Sequence, residues 1–163
     1  MRNSMDKEHI DEALLSMSVK ERHALIPASF LVLKRGNEVL LARRFQTGYE
    51  DGKYSVPAGH VEAGETFSEA LIREAGEEVG ITLDSRQVRL VHIMQRKSSD
   101  DSERICVFFA AEMWKGEIVN REPEKCDDLA WFAFDQLPEN TTPYIRQALM
   151  HIQSDVFYSE FGF

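Results

Sequence analysis

Glu74, Glu77 and Glu78 stand three and four residues apart inside a segment whose helical start and stop are both legible. On a helix turning about 100° per residue, the three carboxylates fall within a wedge of roughly 100°. Like charges stacked on one face repel, so a helix built this way needs a counter-charge. A hard divalent cation is the usual one, because Mg²⁺ takes oxygen ligands and is commonly shared with substrate phosphates. Thr66-Phe-Ser-Glu69 is a capping box with Thr66 as N-cap. Gly80 supplies a left-handed stop, and Ile81 can pack back on the last turn. Leu71, Ile72, Ala75 and Val79 form an apolar stripe beside the acidic wedge. One side of the helix therefore docks on a sheet while the adjoining edge faces a cleft.

Around this helix the chain reads as one domain. Its 163 residues are enough for a real core. Ile26–Lys34 and Glu38–Phe45 favour strands joined by a turn at Arg35-Gly36-Asn37. Gln46–Lys53 is rich in turn formers and reads as a loop, followed by a short strand through Tyr54-Ser55-Val56. Gln87–Lys97 and Arg104–Trp114 read as longer strands, Gly116–Asp128 as a charged loop, and Trp131–Phe134 as a short strand. Thr142 and Pro143 open a last helix, with Ile145, Ala148, Leu149 and Ile152 as its stripe. Ahead of all this, Ile10, Ala13, Leu14 and Met17 mark an amphipathic helix in a leader over residues 1–25. That leader carries no chemical motif and is read as a packing accessory or a homodimer contact, with residues 26–163 forming the functional domain.

The bulk composition narrows the function. A net charge of −9 argues against a nucleic-acid partner or an anionic membrane surface. It leaves room for a small anionic substrate, because bound cations invert the local field. Cys106 and Cys126 are too few for a disulfide framework, and no Cys/His cluster suggests zinc. No apolar run approaches a membrane span and no signal-peptide core opens the chain, so the expected location is cytoplasmic.

The run Gly59-His-Val-Glu-Ala-Gly-Glu65-Thr-Phe-Ser-Glu-Ala-Leu-Ile-Arg73-Glu74-Ala-Gly-Glu77-Glu78-Val-Gly80-Ile81 resembles a complete Nudix box, with every fixed position filled and only Ala75 smaller than the commonest aliphatic. The order of elements outside the box is also similar to that family, over roughly Ile26–Ile152. The resemblance implies an α/β fold, an α/β/α sandwich with a mixed twisted sheet between helices. It implies metal-dependent hydrolysis of a nucleoside diphosphate linked to another group, with Mg²⁺ as cofactor and Mn²⁺ as the alternative. Residue by residue it makes Glu74, Glu77 and Glu78 metal ligands with the Gly59 carbonyl, and pairs Arg73 with Glu65 to orient them. Arg44, ahead of Arg43, would hold a phosphate as a planar charged fork. Tyr49 and Trp131 could stack a nucleobase; core packing is the competing reading for Trp131. The general base stays open between a box carboxylate, Glu74 or Glu77, and an outside residue, with Glu122 ahead of Glu124, Asp127 and Asp128.

A solvated surface is the ordinary explanation of an acidic helix face, but the flanking Gly59, Glu65, Arg73 and Gly80 at fixed spacing weigh against it. His60 and His92 read as a surface and a core-edge histidine. A nucleoside triphosphate is the first expected substrate, giving a monophosphate and pyrophosphate. A nucleotide sugar such as ADP-ribose is second, since Met94–Ser99 lacks the proline or tyrosine that often marks enzymes for ADP-ribose or dinucleoside polyphosphates. A catalytically silent nucleotide-binding module and isoprenoid diphosphate isomerisation are the rivals from other classes.

Overall fold

The computed structural model describes residues 23–163. The expected leader helix, and any dimer contact it makes, lie outside the described residues. The elements are β1 (Ile26–Arg35), β2 (Glu38–Arg44), β3 (Tyr54–Ser55), β4 (Ala58–His60), α1 (Phe67–Val79), β5 (Arg89–Lys97), β6 (Glu103–Ala111), β7 (Cys126–Ala133), a 3₁₀ turn (Phe134–Gln136), α2 (Pro143–Gln153) and β8 (Tyr158–Phe161).

β1 explains the layering. Side chains alternate along a strand, and in β1 both phases are buried. Ala28, Phe30 and Val32 join a core with Met94, Phe108, Ile145 and Leu149 under α2. Leu31 and Leu33 join a second core with Leu71, Ala75 and Val79 under α1. A strand buried on both faces must lie between helices, and the sandwich follows.

β1 and β2 hold together at the turn end, through Lys34↔Val39 and Arg35↔Glu38, and then separate. Beyond that point β1 pairs with β4 and, in parallel, with β6, while β2 pairs with β3 and β7. The split opens a cleft whose walls are the far ends of β1 and β2. β4 brings Gly59 to its edge. At the start of α1 the Ser29 hydroxyl donates to the Phe67 carbonyl at 2.7 Å, fixing the helix to the central strand. The capping box forms as expected: Glu69 N–H donates to the Thr66 hydroxyl at 3.2 Å and Thr66 N–H to the Glu69 carboxylate at 2.8 Å. Gly80 ends the helix at φ 75°.

Four details differ from the sequence reading. β4 lies where only a connector was expected, because its pairing is main-chain to β1 and leaves no side-chain pattern. β7 begins at Cys126 rather than Trp131; its charged start is satisfied across strands, Asp127 by Arg43 and Asp128 by the Tyr54 hydroxyl. β8 was not anticipated, being an exposed edge strand in parallel register with β5. Thr142 stands at the N-cap of α2, yet its hydroxyl donates to the Tyr54 carbonyl at 3.0 Å instead of capping the helix. No helix among the described residues is long and apolar enough to cross a membrane.

Candidate active site

A cavity of about 720 Å³ fills the cleft where β1 and β2 separate. Its walls include Arg44, Tyr49, Gly59, Arg73, Glu74, Glu77 and Glu78, together with Glu122 from the loop before β7. These eight sequence-derived candidates thus meet in one space. Glu65 stands behind them, attached through Arg73. Trp131 is elsewhere: its ring stacks on Trp114 at 6.0 Å and under the Arg35 guanidinium at 4.5 Å, on the α1 side of the sheet. That is the packing alternative.

Arg73 is the hub of the acidic face. Its Nε donates to Glu65 Oε1 at 2.7 Å and its Nη2 to Glu65 Oε2 at 3.0 Å, a fork-on-fork pair. Nη1 donates to Glu74 at 2.6 Å and to Glu77 at 3.3 Å, while Nη2 also reaches the His60 carbonyl at 3.1 Å. The guanidinium, with help from the Glu62 N–H, holds the Glu65 carboxyl down to about 2. One cation therefore ties the helix face to the β4–α1 loop.

Glu78 has the opposite environment. Burial, then the neighbouring Glu74 carboxylate, pushes its carboxyl up to about 8, opposed by the Ala58 N–H at 3.1 Å and, more weakly, by the Arg44 charge. A half-buried carboxylate beside other carboxylates is costly without a cation. Among the described residues no three acidic, histidine or cysteine side chains already converge as a finished ligand cage, since Arg73 draws Glu74 and Glu77 towards itself. The donor set still suits a hard metal ion. It consists of carboxylate and carbonyl oxygens, and the glycine at 59 leaves room that any side chain would close. A Cβ on Gly59 would lie 1.8 Å from Glu74 Oε1.

Arg44 has no carboxylate partner among the described residues. Its Nε donates to the Tyr49 carbonyl at 2.7 Å and its Nη2 to the Thr47 hydroxyl at 3.0 Å, so the guanidinium is positioned but not neutralised. Arg43, by contrast, is spent on Asp127 at 2.7 Å. This separates the two arginines that sequence reading ranked without deciding. Arg44→Ala is expected to raise KM about tenfold or more, the worth of one charged hydrogen-bonding group, with a smaller effect on kcat. Steady-state kinetics checks this; unchanged KM and kcat would move the phosphate contact elsewhere.

The outside candidates for general base also separate. Asp127 and Asp128 are engaged by Arg43 and Tyr54. Glu122 lines the cavity, accepts from Lys125 at 2.7 Å, and is close enough to Glu78 to raise its proton affinity. His92 is buried, bonded to the Val156 carbonyl and the Ser159 hydroxyl at 2.8 Å each, a structural role. His60 is exposed, as the surface reading expects, and also lines the cavity with Nε2 at 3.0 Å from Arg104 Nη1. Arg96, Arg104 and Tyr144 also line the cavity and were missed. Arg96 did carry a signal: it follows His92 and Met94 at intervals of two, on the buried phase of β5, where a charge is out of place.

A family model described as NUDIX domain matches residues 25–152. An NAD-capped RNA hydrolase, NudC, of Pseudomonas aeruginosa is 37% identical over 114 residues, which is 70% of this chain and 38% of that protein. The NudC of Pectobacterium carotovorum is 29% identical over 143 residues, 86% of this chain and 52% of that protein. The chain spans about half, or less, of the length of these curated relatives. Among solved structures, a MutT NUDIX hydrolase from Burkholderia pseudomallei matches with a TM-score of 0.73 at 27% identity, covering 78% of this chain and 98% of that one. A MutT protein from Bacillus halodurans matches with a TM-score of 0.68 at 26% identity, over 83% and 88% of the two chains.

Proposed function

The chain belongs to the Nudix hydrolase family, and on that premise we propose that it is a divalent-metal-dependent pyrophosphohydrolase of a nucleoside diphosphate linked to another group. The observation that carries this reading is the assembly of Glu74, Glu77, Glu78 and Gly59 on one wall of a cavity that also contains Arg44. An acidic wall and an uncompensated arginine suit a substrate whose negative phosphates must be neutralised before water can attack.

Glu74, Glu77, Glu78 and the Gly59 carbonyl would hold the cation, Mg²⁺ first and Mn²⁺ second. When bound, such an ion supplies neutralisation of phosphoryl oxygens and acidification of water. The protein's own groups do the rest. Arg44 orients a phosphate from the opposite wall, and Arg73 keeps Glu74 and Glu77 in register through its bonds to Glu65. Glu74 or Glu77 takes the proton of the attacking water, with Glu122 across the cavity as the alternate. Tyr49, on the loop between β2 and β3, offers its ring to the nucleoside side.

A nucleoside triphosphate is the first substrate of this reading, cleaved in the cytoplasm to a monophosphate and pyrophosphate, with a nucleotide sugar after it. A dinucleotide is a second reading, favoured by the name of the NudC relatives. Their name also includes an RNA, so a capped RNA end belongs in the same test even though the charge of −9 favours small substrates. The test is a panel of triphosphates, nucleotide sugars, NAD and NAD-capped oligonucleotide with Mg²⁺ or Mn²⁺ in ¹⁸O-labelled water, with product identification. A monophosphate product carrying or lacking the label is expected and identifies the phosphorus attacked. A protein that takes up metal and nucleotide but yields no product from any member of the panel would instead be a silent binding module.

A further inference from the structure

Arg96 and Arg104 occupy directly opposed positions on β5 and β6. Opposed residues in an antiparallel pair share a face, and like charges there destabilise the sheet. Both side chains line the cavity, and neither has a carboxylate partner among the described residues. Arg96 is only 5% exposed. Its guanidinium lies 3.9 Å from the Tyr144 ring centroid, its Nη1 donates to the Tyr49 hydroxyl at 3.0 Å, and its Nε is buried with no hydrogen-bond partner. Arg104 donates to the Ser98 hydroxyl at 3.2 Å and approaches His60 Nε2 at 3.0 Å. Every hydrogen-bond partner of the two guanidiniums is neutral, in a chain whose net charge is −9; the nearby carboxylate on the same cavity wall is Asp100, which reaches Arg104 only through the Ser102 hydroxyl. Burying a cation without a counter-ion is expensive, and here it is done beside a second cation.

We propose that Arg96 and Arg104 form a second anion subsite, which takes a phosphate of the substrate lying outside the scissile diphosphate. The subsite rests on the reading of this cavity as a nucleotide site and makes Arg96 and Arg104 specificity-determining residues within it. The cavity is thereby polarised: carboxylates for cations at α1, guanidiniums for a substrate anion at β5 and β6, with His60 between them. His60 contacts Arg104 through its ring and Arg73 through its carbonyl. Tyr49 holds the place of the anion. Its hydroxyl accepts from Arg96 and its ring lies 5.5 Å from the Arg44 guanidinium, on a loop residue that is 40% exposed. A phosphate oxygen replacing that hydroxyl gains a charge-assisted bond.

The anion has two chemical sources, a longer phosphate chain or a phosphate on the ribose, and binding without turnover separates them. Wild-type protein in chelator is titrated calorimetrically with adenosine, AMP, ADP and ATP, and separately with adenosine 2′,5′-bisphosphate. Without metal the acidic wall repels phosphate, so affinity reports on the arginines. Binding at least about tenfold tighter in one series than for adenosine or AMP is expected, weakening with added salt as an ionic contact must. Arg96→Gln and Arg104→Gln should each remove most of that gain and flatten the salt dependence, while Arg104→Lys restores part of it. Should Arg96→Gln fail to fold, Arg104→Gln at its half-buried position carries the test. Equal affinity for adenosine and every phosphorylated ligand in the wild type overturns the subsite. So does a gain that survives both substitutions but disappears in Arg44→Ala, which would assign the phosphate to Arg44 alone. Arginine-dependent binding accompanied by no hydrolysis across the substrate panel would uphold the subsite and overturn the enzymatic reading.

Discussion

Glu77→Gln is expected to lower kcat by about 10²–10³-fold, equivalent to roughly 3–4 kcal/mol of barrier, with the melting temperature nearly unchanged. The side chain is 55% exposed and its one ion-pair contact is Arg73 Nη1 at 3.3 Å, so an amide of the same shape leaves α1 and its packing alone. What disappears is a negative charge on the wall that would hold the cation. The loss should fall on kcat rather than on KM, because nucleotide contacts on the opposite wall, through Arg44, are retained. Metal titration should show a weaker half-saturation point for Mg²⁺ than the wild type. Steady-state kinetics with parallel calorimetry checks both halves. Near-wild-type turnover with a normal fold would remove Glu77 from the ligand set and leave Glu74 and Glu78 to do the work with Glu122.

Why the acidic helix was legible from the chain alone, and other parts were not, has a physical basis. α1 is specified locally: Thr66, Glu69 and Gly80 fix its ends, and the offsets of Glu74, Glu77 and Glu78 fix its functional face before any tertiary contact forms. The pairing of Arg73 with Glu65, which only the family resemblance supplied, is present in the structure across a single loop. Non-local pairing is where sequence reading lost ground. β4 and β8 exist through backbone bonds to β1 and β5, which leave no periodic trace in residues so short or so exposed. The register of β7 against β2 decides that Leu129 and Trp131 both pack against the α1 core, with Leu129 and Cys126 also reaching the cavity, and no local pattern encodes that choice. Arg44 and Arg43 could be ranked but not separated until Asp127 was seen to engage one of them. Arg96 is legible in principle, as a charge on the buried phase of β5, but strand propensity alone does not carry that information.

Arg73→Lys is expected to lower kcat about 10–100-fold, the usual scale for losing a group that orients metal ligands, although Arg73 itself would not touch the reacting atoms. The guanidinium serves Glu65 twice, Glu74 and Glu77 once each, and the His60 carbonyl, five bonds from one planar fork. An ammonium has three donors and no fixed plane, so it keeps the charge and loses the geometry. A positioning role predicts that kcat falls while nucleotide KM is largely kept, and that raised Mg²⁺ recovers part of the activity by competing for the same carboxylates. Stability gives a second readout. In the wild type Arg73 holds the Glu65 carboxyl down to about 2, below the ordinary glutamate range. A depressed folded-state value contributes stability that is fully present above the ordinary range and is lost as pH falls towards 2. With lysine at position 73 that contribution shrinks, so the wild type should melt higher than the variant at neutral pH and the gap should narrow as pH drops through that window. A gap that stayed constant from neutral pH down to the acid limit would mean Arg73 stabilises through packing of its stem, and its charge would have to be assigned another purpose.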